Sequence, residues 1–208
     1  MYVRVRIAGL GGQGIKLCGV MFGHVAVEAG LDAMVTTQYT PASRGGPIDS
    51  SIILSDDKKI MNPFFERPDI LCIMAWKSWE LHKWNVTPAV VVIYDSDVIP
   101  SERLDHPAEM SRGFPFSSTA AEHKVVANMV LLGVLAFKLG LGVGEIETVI
   151  NDYSFKTMTA HSWHVLRIDP LTFEQSISRQ SPERFRENNL RAFKLGYSMA
   201  EKYPRMRF

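Results

Sequence analysis

Residues 3–14 read V-R-V-R-I-A-G-L-G-G-Q-G, and this stretch decides the fold. Apolar and polar residues alternate up to Ile7, as in a β-strand, and the glycines at 9, 11 and 14 then fit the spacing G-x-G-x-x-G. A helical pattern from Ile15 to about Ala29 follows. A strand-to-helix turn this tight needs glycine, and the helix would direct its positive end at the loop, so the predicted occupant is an anion such as a pyrophosphate. A glycine turn that only packs the helix on the strand remains an open alternative.

Strands and helices alternate along the rest of the chain. Extended runs are predicted over 31–38, 48–54, 70–75 and 89–94, and a turn at 55–58 is expected to fold 59–61 back as a hairpin. Helices are predicted after 75, over 124–139 and 145–151, and from 181 onward, whereas 161–178 looks irregular and is expected to wrap the sheet or meet a partner. We therefore predict an α/β fold: a Rossmann-like, doubly wound, mostly parallel sheet with a β-hairpin insertion and a helical C-terminal part. It is expected to be one domain over 1–208, with a core of about 1–140 and a tail of about 141–208.

Composition excludes several classes of protein. Lys and Arg number 23 against 22 Asp and Glu, so the balanced charge gives no support for a nucleic acid or an anionic membrane as partner. The longest apolar stretch, Val125 to Phe137, is interrupted by Asn128 and is too short to span a bilayer, so it predicts a buried helix. No secretion signal is recognisable, and a cytoplasmic protein is expected. The two cysteines, Cys18 and Cys72, are expected to be core residues and cannot supply the four thiolates of an iron–sulfur cluster.

An NAD-dependent dehydrogenase is a poor fit to the second predicted strand. Such enzymes place an Asp or Glu at its end to hold the ribose, about 20 residues past the glycines. Here residues 35–39 contain no carboxylate and Asp32 comes too early. The nearest basic residue for an NADP enzyme, Arg44, lies in the loop beyond.

Other catalytic arrangements are also weak. His161 and His164 lie three residues apart without a recognisable third ligand, so no metal site is predicted. The cluster Ser117–Thr119 lacks the G-x-S-x-G pattern of a nucleophile and is expected in a loop or helix cap. We predict no catalytic residue in this chain. Three tryptophans are close together and are expected to favour an interface: Trp76, Trp79 and Trp84.

A second glycine-rich loop makes the prediction more specific. Arg44-Gly45-Gly46 follows the second predicted strand, and in a parallel sheet it lies at the same carboxyl edge as the first loop. Two glycines allow close approach of the backbone to a ligand, and Arg44 offers a forked cation for phosphate or carboxylate. A solvated turn with an incidental arginine is the alternative.

Taken together, these segments resemble the gamma subunit of 2-oxoacid:ferredoxin oxidoreductases. The resemblance covers most of the chain. It is carried by I-A-G-L-G-G-Q-G (Ile7 to Gly14), Y-T-P-A-S-R-G-G (Tyr39 to Gly46), I-I-L-S-D-D (Ile52 to Asp57), Pro63, P-D-I-L (Pro68 to Leu71), A-N-M-V-L-L-G (Ala127 to Gly133) and, more weakly, E-N-N-L-R-A-F-K-L-G (Glu187 to Gly196).

The resemblance implies a complex that oxidatively decarboxylates a 2-oxoacid (pyruvate, 2-oxoglutarate or ketoisovalerate among them) to an acyl-CoA and reduces ferredoxin. It implies alpha and beta partner subunits, with a ferredoxin-like delta subunit as a further candidate. Thiamine diphosphate and the iron–sulfur clusters are expected on those partners, and none of these groups on this chain alone. Coenzyme A is the expected shared ligand. The residues expected to bind it are Gly9, Gly11, Gly12, Gln13, Gly14, Arg44, Gly45 and Gly46.

Two other functions stay open from the sequence. A free-standing Rossmann module would bind a dinucleotide tightly by itself. A structural scaffold subunit would leave the glycine loop empty and act through its interface helices.

Overall fold

Six β-strands form one sheet in a computed structural model that describes residues 2–40, 45–56, 59–107, 110–140 and 168–202. The strands are β1 (Tyr2–Leu10), β2 (Asp32–Tyr39), β3 (Pro47–Ser55), β4 (Ile70–Ile73), β5 (Val91–Asp95) and β6 (Ser111–Phe114). The α-helices are α1 (Ile15–Glu28), α2 (Trp76–His82), α3 (Phe116–His123), α4 (Ala127–Gly140), α5 (Pro170–Gln180) and α6 (Glu183–Glu201). The spatial order of the strands is β2-β3-β1-β4-β5-β6.

The sheet is mostly parallel, as predicted. β1, β4, β5 and β6 pair in parallel, whereas β3 runs antiparallel to both of its neighbours, β1 and β2. β2 therefore points in the same direction as β1, and β3 is the one reversed strand among those described. This confirms the predicted α/β class.

The β-hairpin lies at a different place from the one expected. It is formed by β2 and β3, with Tyr39 opposite Ile48, and not by residues 59–61, which form neither strand nor helix. The reason is that β3 is already paired on both edges, by β1 and by β2, so it has no free edge for another strand.

The central strands β4 and β5 are buried on both faces, which explains their continuous apolar residues. Alternate residues of β4 belong to two separate clusters: Ile70 and Cys72 pack with α1, α4, α5 and α6, whereas Leu71 and Ile73 pack with Trp79 of α2. Phe173 of α5 stacks on Phe22 of α1, with ring centroids 5.9 Å apart. The C-terminal helices thus share the core of the sheet.

Several elements differ from the sequence prediction. β6 and α3 were not predicted, and α4 begins at Ala127 instead of 124 because Lys124 adopts a left-handed conformation (φ 51°) that ends α3. Within the segment expected to be irregular, α5 begins at Pro170, and the Asp169 carboxylate accepts a hydrogen bond from the Leu171 N–H at 2.8 Å. Residues 161–167, including His161 and His164, and the helix predicted over 145–151 lie outside the described residues.

The tryptophans separate into three environments. Trp79 is a core residue, so the interface expectation is wrong for it, while Trp76 is partly buried under the Arg103 guanidinium, 4.4 Å from its ring centre. Trp84 is 81% exposed. Among the described helices, none alone has the length and hydropathy to span a membrane, and one sharply bent pair, α3 with α4, meets that criterion jointly.

Candidate functional site

The loop between β1 and α1 has the backbone geometry that its glycines allow. Gly12 and Gly14 have φ of 99° and 72°, in the left-handed region that side chains disfavour. Gly14 also caps α1, and a Cβ there would collide with the side-chain amide of Asn128. Two constraints therefore require glycine at position 14: the positive φ and the lack of room for a Cβ.

The two glycine loops meet at one edge of the sheet, as predicted. The Gly11 N–H donates to the Gly46 carbonyl at 2.9 Å, and Gly45 has φ of 66° with no described neighbour within 4 Å of where a Cβ would lie. They meet because β3 returns beside β1, which places Pro47 opposite Leu10. Gly11, Gly12 and Gly45 are exposed, so this edge is accessible to a ligand. Arg44 lies outside the described residues, and its role stays a prediction.

Gln13 uses its side chain inside the loop. Its Oε1 accepts from the Leu10 N–H at 2.6 Å, and its Nε2 donates to the Met74 carbonyl at 3.0 Å. The amide thereby joins the ends of β1 and β4. In this geometry Gln13 holds the loop in shape.

Sequence reasoning missed two residues that support the loop from other elements. Ser78 of α2 is buried and donates from Oγ to the Gly9 carbonyl at 2.8 Å. Asn128 of α4 is buried and donates from Nδ2 to the Gly14 carbonyl at 3.0 Å. For Asn128 there was a signal, since it is a polar residue that interrupts an apolar helix.

The edge favours a negatively charged ligand. The first intrahelical bond of α1 joins the Cys18 N–H to the Gly14 carbonyl, so the N–H groups of residues 15–17 have no acceptor within the helix. No described side chain caps this end, and its first turn carries no acidic residue. After β1 the chain passes to one face of the sheet and after β4 to the other, and the crevice at such a switch point is where open α/β sheets bind ligands.

Two carboxylates at this edge, Asp95 and Asp97, make structural contacts. Asp95 at the end of β5 is fully buried and accepts a hydrogen bond from the Ser117 Oγ at 2.5 Å. Burial raises the pKa of Asp95 above the usual carboxyl value, and that hydrogen bond offsets only part of the rise. Asp97 accepts from the Ser118 N–H at 2.7 Å. Both hold the start of α3. Burial also raises the pKa of the Cys18 thiol to about 12, so it is an unreactive core group. In the described ranges no three His, Cys, Asp or Glu side chains converge as a metal would need.

A buried polar cluster lies on the α2 face of β1 and β3. The Arg6 guanidinium donates to the Ser51 Oγ and to the carbonyls of Phe65 and Glu66 at 2.7–3.2 Å. His82 Nε2 lies 3.7 Å from an Asp49 carboxylate oxygen. Burial, followed by the Arg6 charge, lowers the pKa of His82 to about 4. The cluster anchors the coil before β4 on the sheet.

Residues 4–199 match the family model described as "Pyruvate ferredoxin/flavodoxin oxidoreductase". The sequence is 29% identical to the 2-oxoglutarate synthase subunit KorC of Methanocaldococcus jannaschii, over 97% of this chain and 95% of that protein.

Two solved structures share the fold. The gamma subunit of a keto/oxoacid ferredoxin oxidoreductase from Geobacter sulfurreducens has a TM-score of 0.68 at 21% identity, covering 97% of this chain and 98% of that one. The 2-oxoglutarate:ferredoxin oxidoreductase of Magnetococcus marinus, with 2-oxoglutarate, coenzyme A and succinyl-CoA bound, has a TM-score of 0.72 at 22% identity. The match covers 97% of this chain but 31% of that longer chain.

Proposed function

Since the chain belongs to the pyruvate ferredoxin/flavodoxin oxidoreductase family, whose members similar to it are subunits of 2-oxoacid:ferredoxin oxidoreductases, we propose that it contributes the phosphate-binding edge for coenzyme A in such a complex. One observation carries the proposal: two exposed glycine loops, joined by the Gly11–Gly46 hydrogen bond, lie beside the N-terminus of α1, which no described side chain caps. Phosphate is the group that free backbone N–H donors at a helix N-terminus bind well.

The chain's own role is to bind and orient. The backbone of Gly11, Gly12 and Gly14, with Gly45 and Gly46 opposite, surrounds the phosphates, and Arg44 provides a forked cation for one of them. Gly9 is packed under the loop, where a Cβ would lie 2.5 Å from the Gln13 Oε1, and Gln13 maintains the loop. The gain is proximity, because the coenzyme A thiol is held near an acyl group carried by a partner.

The chemistry of decarboxylation and electron transfer is assigned to partner subunits. Thiamine diphosphate and the iron–sulfur clusters are placed on alpha and beta subunits, with a delta subunit as a further candidate and ferredoxin as the acceptor, in the cytoplasm. The two cysteines of this chain are both buried and too few to hold a cluster. In the Magnetococcus marinus protein the match covers 31% of the chain, so the region similar to this chain is there part of a longer polypeptide. 2-Oxoglutarate is the proposed substrate, on the name of the Methanocaldococcus jannaschii relative.

A pair of nearly isosteric variants tests the phosphate site. Gly45→Asn and Gly45→Asp both suit the left-handed conformation and meet no described neighbour within 4 Å of the new Cβ, so they differ essentially in one negative charge. In the assembled complex, the aspartate variant should have a KM for coenzyme A about fivefold above that of the asparagine variant, from roughly 1 kcal/mol of repulsion. The KM for the 2-oxoacid should be equal in the two.

Arg44→Ala is a second test of the site. Its control is Arg44→Lys, which keeps the positive charge and loses the forked geometry of the guanidinium. The alanine variant should raise the KM for coenzyme A far more than that for the 2-oxoacid. Equal effects on both constants, together with equal coenzyme A constants for the two Gly45 variants, would refute the site. Loss of assembly in Arg44→Ala would instead assign Arg44 to a carboxylate on a partner subunit.

A further inference from the structure

Asn128 makes a contact with the glycine loop that packing alone does not explain. It lies in the first turn of α4, whose other residues are apolar apart from Lys138, and it is 4% exposed. Its side-chain Nδ2 donates to the Gly14 carbonyl, and its backbone carbonyl accepts from the Cys18 Sγ at 3.3 Å. Burying an amide costs free energy that an apolar residue at this position would not incur.

The bond is not needed to satisfy the Gly14 carbonyl. That oxygen already accepts from the Cys18 N–H at 2.9 Å, as the first bond of α1. What a second donor adds is direction. In a planar trans peptide the carbonyl and the following N–H point in opposite directions. Because the Gly14 carbonyl is held toward α4, the Ile15 N–H of the same peptide points away from α4, toward the loop.

The position of α4 is itself fixed by the C-terminal helix. α4 and α6 cross at Gly133 and Gly196, where a Cβ on either glycine would collide with the backbone of the other helix, at Phe193 and Val130. Backbones in direct contact have no side chain between them that could repack, so α4 cannot shift without breaking this crossing. Asn128 is two residues from Val130 and five from Gly133 on the same helix.

We infer that Asn128 is a positioning residue for the anion-binding loop: it sets the orientation of the Gly14–Ile15 peptide, and α6 sets the place of Asn128 through the glycine crossing. The functional part of this inference rests on the proposed coenzyme A site. The structural part does not, and the two are separable by experiment.

The test uses Asn128→Leu, which keeps the approximate size and removes the donor, with Asn128→Ala beside it. Asn189→Ala is the matched control, since Asn189 is also buried and bonds Ser181 Oγ at 2.9 Å within the C-terminal part. The first readout is hydrogen exchange in the full chain at the N–H groups of Gly11, Gln13 and Cys18, each bonded within or across the loops. The second is the KM for coenzyme A and for the 2-oxoacid in the assembled complex.

Both Asn128 variants should exchange the loop amides about fivefold faster than the wild type, as expected for one lost hydrogen bond, and raise the KM for coenzyme A by a similar factor with the 2-oxoacid constant unchanged. Asn189→Ala should lower the unfolding midpoint and move neither readout. Loop exchange no faster than in Asn189→Ala would overturn the inference. Faster exchange with an unchanged KM for coenzyme A would keep the positioning role and refute the coenzyme A site.

Discussion

His82 illustrates how one partly buried side chain makes the stability of the fold depend on pH. Burial and the nearby Arg6 charge lower its pKa from 6.5 to about 4 in the folded chain. Below pH 6.5 the unfolded chain binds a proton that the folded chain does not, so stability falls as pH decreases toward 4. At pH 5 this amounts to about 2 kcal/mol.

His82→Gln should therefore lose about 2 kcal/mol less stability than the wild type between pH 7.5 and pH 5, measured by urea unfolding. Burial raises the pKa of Asp49 as well, an effect of opposite sign that both proteins share. His24→Gln, at an exposed position of α1, is the control and should keep the wild-type pH dependence. Parallel pH profiles for the wild type and His82→Gln would show that the His82 proton is not linked to folding.

At the same scale, Gln13 shows what sequence can and cannot predict about a site. The glycine spacing predicted the loop and its place before α1. It could not show that the Gln13 amide is used by Leu10 and Met74, because Met74 lies 61 residues away. The support from Ser78 and Asn128 is equally non-local, 69 and 114 residues from the glycines they bond. Local patterns encode the backbone of the loop, and tertiary contacts supply its supports.

Among the elements, those with local signals were predicted and those with distant ones were not. α1 and α6 have clear apolar patterns and agree with the structure within a few residues. The start of α3 is held by Asp95 and Asp97, 22 and 21 residues upstream, so no nearby cap marks it. β6 has four residues, one of them Gly113, where a Cβ would collide with the Tyr94 ring. Such a strand is stabilised by pairing and packing with its neighbours and not by the β-propensity of its own residues.

The crossing of α4 and α6 yields a prediction about packing. Gly196→Ala would place a methyl group against the Val130 carbonyl and force the helices apart, which should lower the free energy of unfolding by about 3 kcal/mol. Ser198→Ala, an exposed position on the same helix, should change it by less than about 0.5 kcal/mol. Urea unfolding of both variants measures the difference. A Gly196→Ala protein as stable as Ser198→Ala would mean that the helices can separate freely.

For the whole molecule, the topology explains why two loops 30 residues apart form one site. β2 was predicted to run parallel to β1, and it does, although the antiparallel β3 lies between them. That insertion brings Gly46 beside Gly11. Sequence periodicity predicted the class of the sheet. It could not predict the strand order, because that order depends on which strands have an unpaired edge when β3 joins the sheet. The family resemblance, now shown by the match over residues 4–199, carried the functional assignment that the residues alone left open.

The division of labour in the complex can be tested by reconstitution under anaerobic conditions. The tagged chain should co-purify larger subunits with a brown iron–sulfur spectrum, and by itself should oxidise no 2-oxoacid. Partner subunits stripped of it should regain coenzyme A-dependent acceptor reduction when the wild-type chain is returned. The chain with Gly45→Asp should restore the same maximal rate at a KM for coenzyme A about fivefold higher, since its added charge lies at the exposed loop and not at a described core contact.

If the partner subunits show the same coenzyme A dependence without this chain, the phosphate-binding edge belongs to them. A colourless, solitary chain that retains a nucleotide would favour a free-standing dinucleotide module, because only that function needs no partner to complete the site.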